Sequence, residues 1–200
     1  MIVKKAVFEA SAADPAQMKT RLALPQIALV GRSNVGKSSL INTLCRQNKL
    51  ARVSSTPGKT RLVNYFLVND AFYLVDLPGY GFANVSRKEQ GKWEAMVESY
   101  LGGDPGPDAL LLLLDVRREP SAEDKQMAYW LQHYGIPCII VATKADKLSG
   151  SAARTAARGL SDKVGMTFPT PTVLFSTRMP EPSREALGAA LEGILKDIGS

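Results

Sequence analysis

An α/β fold, a three-layer, doubly wound and mostly parallel sheet with helices on both faces, is predicted by three observations. Short apolar runs alternate along the chain with longer segments of helical periodicity, the order that builds parallel βαβ units. The run at 110–114 is apolar without interruption, as expected of a strand covered on both faces. The run at 27–30 leads directly into Gly31-Arg32-Ser33-Asn34-Val35-Gly36-Lys37-Ser38, a glycine-rich turn placed between a strand and a helix.

Each element can be justified in turn. Residues 6–9 read as an edge strand within an N-terminal extension covering 1–22, and 11–21 as a loop or short helix around Pro15. Pro25 marks entry into the strand at 27–30, and one domain extends over 23–200. The first helix starts near Lys37 and continues through 39–44. Ser54-Ser55-Thr56-Pro57-Gly58 is loop chemistry. Strands at 62–68 and 71–75 flank the tight turn Asn69-Asp70, so they form a hairpin that contributes the one antiparallel strand. A helix at 87–101 carries Trp93, Met96, Val97 and Tyr100 at helical spacing, a row that reads as core. After the strand at 110–114, Ser121 starts a helix with Asp124 three residues on, a weaker form of the capping box. A buried strand at 136–142, a helix at 151–164, a strand at 173–175 and a helix at 183–198 complete the chain. His133, the only histidine, reads as a surface or core-edge residue.

Composition narrows the functional classes. The 200 residues are 45% hydrophobic and 22% charged, which is ordinary for a globular chain. No apolar run is long enough to cross a bilayer, and the N-terminus has no secretory pattern. Cys45 and Cys138 suggest no disulfide framework, so a reducing cytoplasm is the expected compartment. Nothing in the sequence requires a dimer. The net charge is +6. Five cations (Arg46, Lys49, Arg52, Lys59, Arg61) fall between Arg46 and Asn69 with no acid among them. A basic stretch of this kind points to a polyanionic partner such as RNA, with a solvated loop as the competing reading.

Gly31 to Ser38 matches G-x-x-x-x-G-K-[ST] at every fixed position, which makes the fold that of a P-loop nucleotide-binding protein. The two glycines let successive N–H groups point into one hollow, and the helix aims its positive end there. Lys37 would reach the β- and γ-phosphates, and the Ser38 hydroxyl would be a Mg²⁺ ligand. Asp76-Leu77-Pro78-Gly79 has the form D-x-x-G at a strand end. Asp76 can hold the Mg²⁺ shell through water, and the Gly79 amide can approach a γ-phosphate. Thr143-Lys144-Ala145-Asp146 follows another strand. The Asp146 carboxylate can accept two hydrogen bonds from guanine, whereas adenine lacks that donor pair. The Lys144 stem can lie across the base. This motif selects GTP over ATP.

Together with Ser55-Thr-Pro-Gly-Lys-Thr60, Asp76-Leu-Pro-Gly-Tyr-Gly81 and Asp115-Val116-Arg117, these motifs resemble the EngB/YsxC family of Era-like, translation-factor-class GTPases. The resemblance implies Mg²⁺-dependent GTP hydrolysis to GDP in large ribosomal subunit assembly, with rRNA and ribosomal proteins as partners. It also implies a family link to cell division and septation. It assigns Thr60, within Gly58-Lys59-Thr60-Arg61-Leu62, as the switch threonine that completes the Mg²⁺ shell, with Thr56 as the competing candidate. It places Phe175-Ser176-Thr177 at the loop whose backbone reads guanine O6; the family more often shows a second serine where Thr177 stands. Asn34 lies where related proteins hold a potassium ion. Tyr80 stands where many GTPases have a water-positioning glutamine, so turnover is expected to be slow. Lys59 or Arg61 is a candidate to assist hydrolysis in cis. Arg87, Lys88 and Lys92 adjoin the D-x-x-G segment as candidate RNA contacts. The alternatives are a nucleotide-regulated RNA-binding module and an RNA-modification-linked GTPase. Intact Lys37, Ser38, Asp76 and Asp146 weigh against an RNA-binding module with a vestigial nucleotide site, and motifs filling the chain weigh against the second.

Overall fold

The strands are β1 (Ala6–Ala12), β2 (Gln26–Gly31), β3 (Val63–Val68), β4 (Phe72–Asp76), β5 (Ala109–Asp115), β6 (Cys138–Thr143) and β7 (Thr172–Leu174). The computed structural model describes residues 1–13, 24–51, 62–81 and 86–198. It joins the strands in one sheet in the order β1-β3-β4-β2-β5-β6-β7. β3 runs antiparallel to both β1 and β4; the other pairings are parallel. The helices are α1 (Lys37–Leu44), α2 (Arg87–Leu101), α3 (Ala122–His133), α4 (Gly150–Arg158), α5 (Leu160–Val164) and α6 (Pro180–Ile198).

The apolar strands are buried because both faces of the sheet are covered. Ala28, Val30, Leu110, Leu112, Ile140 and Ala142 point into a core shared with α2, α3 and α5. The alternate residues Ile27, Leu29, Leu111, Leu113, Ile139 and Val141 point into a second core with α1 and α6. Each fully buried leucine contributes about 1.5–3 kcal/mol relative to exposure. The sheet is therefore a rigid platform whose carboxyl edge carries the loops after β2, β4, β5, β6 and β7.

Several element boundaries differ from expectation, each for a local reason. β1 continues past residue 9 because a bulge between Phe8 and Ala10 absorbs one residue and Ser11 then pairs with Asn64; residues 14–21 of the expected loop lie outside the described residues. The helix expected over 151–164 is two helices, because Gly159 ends α4. α6 begins earlier than 183, since Pro180 and Pro182 sit in its first turn, where a missing N–H costs nothing. Phe175 leaves β7 as its carbonyl turns to accept the Ala145 N–H at 3.2 Å. Cys45 and Cys138 are free and buried, and burial pushes both thiols up to about 12.

Candidate nucleotide-binding site

The loop after β2 is tightly built. A Cβ on Gly31 would lie 2.7 Å from the Leu113 carbonyl oxygen and 2.9 Å from Val35 Cγ1, so β5 and the buried Val35 leave room for glycine alone. Asn34 (φ 60°) and Gly36 (φ 116°) take left-handed conformations that curl the backbone into an anion-accepting hollow. The Val35 N–H donates to the Arg32 carbonyl at 3.1 Å, and the Ser33 N–H to the Tyr80 carbonyl at 2.8 Å. α1 follows with Gly36 as its N-cap, no capping side chain and no acid in its first turn. Its first N–H groups therefore have no partner within the helix, and its positive end opens at the loop.

β4 lies beside β2 and delivers Asp76 to the same edge. Asp76 Oδ1 is buried without a hydrogen-bond partner and stands 3.9 Å from Lys37 Nζ. Burial pushes this carboxyl above its ordinary value, and the Lys37 charge only partly offsets that. An orphaned carboxylate oxygen, with the Ser38 hydroxyl in the neighbouring first turn, fits a hard divalent cation held partly through water. Gly79 packs against the loop: a Cβ there would be 3.1 Å from both Lys37 Nζ and Ser33 N. Leu77 and Pro78 are buried, and the Pro78 carbonyl accepts from Trp93 Nε1 at 2.8 Å. The Tyr80 phenol is also buried and donates to Asp124 Oδ1 at 2.5 Å.

On the other side of β2, the ends of β5 and β6 are stitched together. Thr143 Oγ1 donates to the Leu114 carbonyl at 3.1 Å, and the Val116 N–H to the Thr143 carbonyl at 3.1 Å. Lys144 takes a left-handed conformation (φ 59°) before a short 3-10 turn, Ala145–Lys147. Its Nζ lies 3.2 Å from Asp115 Oδ2. The Asp146 carboxylate is only 10% exposed, with Lys147 at 3.7 Å and Arg178 at 3.6 Å. Ser176 Oγ donates to Asp146 Oδ1 at 3.1 Å.

The sheet thus gathers Gly31 to Ser38, Asp76 to Gly79, Thr143 to Asp146 and Phe175 to Thr177 at one edge. Thr177 is exposed beside buried Phe175 and Ser176. Thr56, Gly58, Lys59, Thr60 and Arg61 lie outside the described residues, as do Arg52 and the rest of 54–58. Leu62, the described member of that segment, is exposed just before β3. Arg87, Lys88 and Lys92 are exposed along α2. His133 is exposed, with its ring stacked on Tyr129 at 6.2 Å.

Ser183 carries a role that its place in the sequence does not reveal. Its buried hydroxyl accepts the Ser176 N–H at 2.9 Å and donates to the Ser176 carbonyl at 3.1 Å, pinning the last loop to α6. No local pattern announces such a pairing. The second role of Asp124 is hidden in the same way, since its only sequence signal is its capping position.

Residues 26–144 match the model of the 50S ribosome-binding GTPase family. A probable GTP-binding protein EngB from Alkaliphilus metalliredigens is 46% identical over 194 residues, covering 97% of this chain and 92% of that protein. The protein of the same name from Pelotomaculum thermopropionicum is 46% identical over 187 residues, covering 94% of each. Among solved structures, a probable GTP-binding protein EngB superposes with a TM-score of 0.70 at 22% identity, over 86% of this chain and 99% of that one. NFeoB from S. thermophilus bound to GDP.AlF4- and K+ gives a TM-score of 0.58 at 25% identity, over 84% of this chain and 61% of that one.

Proposed function

The chain belongs to the EngB family of GTP-binding proteins within the 50S ribosome-binding GTPases, and from that premise we propose that it is a slow, Mg²⁺-dependent GTPase switch acting on the large ribosomal subunit or its precursor in the cytoplasm. The observation that carries the reading is the sharing of one sheet edge by the left-handed phosphate loop and the Asp146 carboxylate. A phosphate-binding hollow alone takes many anions; an acceptor-only carboxylate at the same edge asks for a base with two adjacent donors.

In this reading the curled loop from Gly31 to Ser38 binds the phosphate chain through its N–H groups, and Lys37 neutralises charge on the β- and γ-oxygens. Ser38, and Asp76 through water, would hold Mg²⁺, and Thr60, assigned by the resemblance and outside the described residues, would complete its shell in the GTP form. When bound, the ion withdraws charge from the phosphate oxygens. Gly79 lies close enough to the loop for its amide to sense a γ-phosphate. Asp146 accepts from the guanine, steadied by Ser176, and Phe175 to Thr177 face the carbonyl side of the base. Adenine would offer Asp146 no such donor pair, a loss of about 1–3 kcal/mol for a mostly buried charged acceptor. Turnover is slow because the phenol at Tyr80 is spent on Asp124 and no glutamine stands beside Gly79 to orient water.

The test is titration with fluorescent GDP, competed by GTP and by ATP, with Asp146→Asn measured alongside. GTP competes, ATP does not, and the variant shifts its preference toward xanthine nucleotides, whose base offers the donor and acceptor pattern that an amide pairs with. Equal competition by ATP would sink the assignment of the base motif.

A further inference from the structure

We propose that Asp115 is a positioning residue for the guanine nucleotide, its carboxylate fixing the Lys144 side chain between the phosphate loop and the Asp146 turn. The inference rests on the guanine-nucleotide reading above and extends it to a residue outside the phosphate, magnesium and base motifs.

Asp115 ends β5 directly opposite Thr143 of β6, one residue before Lys144. Its two oxygens are fully engaged. Oδ1 accepts from Arg117 Nε at 2.9 Å and from the Arg117 N–H at 3.1 Å, and Oδ2 accepts from the far end of the same guanidinium at 2.7 Å. Arg117 thereby sets the plane of the carboxylate, leaving Oδ2 aimed at Lys144 Nζ, 3.2 Å away. Burial alone would raise this carboxyl. Arg117 and Lys144 outweigh burial and hold it well below the usual carboxylate range, so it is ionised wherever the protein is folded at neutral pH.

Lys144 needs such a partner. It is a non-glycine residue held at positive φ, and its side chain is 32% exposed with four rotatable bonds. Immobilising a lysine costs the rotamer freedom of its long stem. A pair formed before the ligand arrives removes that cost from the binding step. The position matters too. Lys144 and Asp115 line one cavity of about 340 Å³ together with Ser33 and Asn34 of the phosphate loop. The Lys144 stem therefore runs along a seam that touches both halves of the nucleotide site, where a free side chain would have to be excluded or reordered.

The experiment is a double-mutant cycle read by fluorescent GDP affinity, with thermal melts to confirm that each chain is folded. Asp115→Asn and Lys144→Ala each weaken GDP by about tenfold, within the range of coupling between residues in contact. The double variant binds no more weakly than Lys144→Ala alone, because the carboxylate acts through the lysine. A purely structural role would not produce that saturation. Losses that multiply to about a hundredfold, or wild-type affinity in Asp115→Asn, overturn the proposal. A parallel cycle with Asp115→Ser is read the same way should the asparagine variant fail to fold. Absence of GDP binding by the wild-type chain would remove the guanine reading itself; an additive cycle in a chain that does bind GDP removes only the role of Asp115.

Discussion

Asn34 answers first to the backbone. Its φ of 60° belongs to the region that asparagine tolerates better than most residues, so the loop would favour it with no ligand in view. Its side chain is nonetheless exposed at the mouth of the hollow, a place from which a carboxamide oxygen can reach a monovalent cation held against the phosphates. Hydrolysis is therefore expected to run faster in potassium than in sodium at equal ionic strength. Asn34→Gly should lose that response, since glycine keeps the left-handed turn and removes only the carboxamide. Equal rates of the wild-type chain in the two salts would end the idea. Residues of this kind were legible in the sequence because the phosphate loop is a local device: four fixed residues and their spacing determine its shape. Ser183 and the Asp115–Lys144 pair were not, because they are contacts between segments that only the folded sheet brings together.

At the scale of elements, Pro78 and Tyr80 on either side of Gly79 are held more firmly than the motif suggests. Trp93 of α2 grips the Pro78 carbonyl, and Tyr80 plugs the start of α3 by donating to Asp124, whose other oxygen accepts the Ser121 N–H at 2.7 Å. Burial, and then the charge and hydrogen bond of Asp124, raise the phenol well above its ordinary value, so it remains a donor. Tyr80→Phe leaves Asp124 Oδ1 buried without that donor and should cost about 1–3 kcal/mol. In a chain of this size that lowers the melting temperature by roughly 2–4 °C per kcal/mol. Urea unfolding of the variant beside wild type measures it, and an unchanged midpoint would show that water replaces the phenol. The sequence located α2 and α3 correctly because their starts are local. Ser121 was read as a cap, and Ser86 with Glu89 forms a complete capping box whose S-x-x-E signal was there to find. What was not legible was the break at Gly159, where glycine in a small-residue helix is ambiguous until packing is known, and the bulge in β1, which interrupts the alternation used to recognise a strand.

Across the whole molecule, the feature to account for is a net charge of +6 on a chain whose site already takes a polyanion. Part of that charge sits as Arg87, Lys88 and Lys92 on the exposed side of α2, the helix whose Trp93 is bonded next to Gly79. A change at Gly79 on binding a γ-phosphate would reach that basic surface through the indole hydrogen bond of Trp93 to Pro78. If that surface meets rRNA, binding to large-subunit particles will depend on both nucleotide and salt. Co-sedimentation should recover more protein with a non-hydrolysable GTP analogue than with GDP. Replacing the three cations with glutamine should flatten the dependence of log affinity on log salt by about 0.7–0.9 for each phosphate left unneutralised. Trp93→Phe keeps the ring but deletes the donor, so it should narrow the gap between the two nucleotides while leaving the salt dependence steep. Equal recovery with GDP and analogue, unaltered by either set of substitutions, would mean that the charge on α2 is solvated surface and that the partner is met elsewhere.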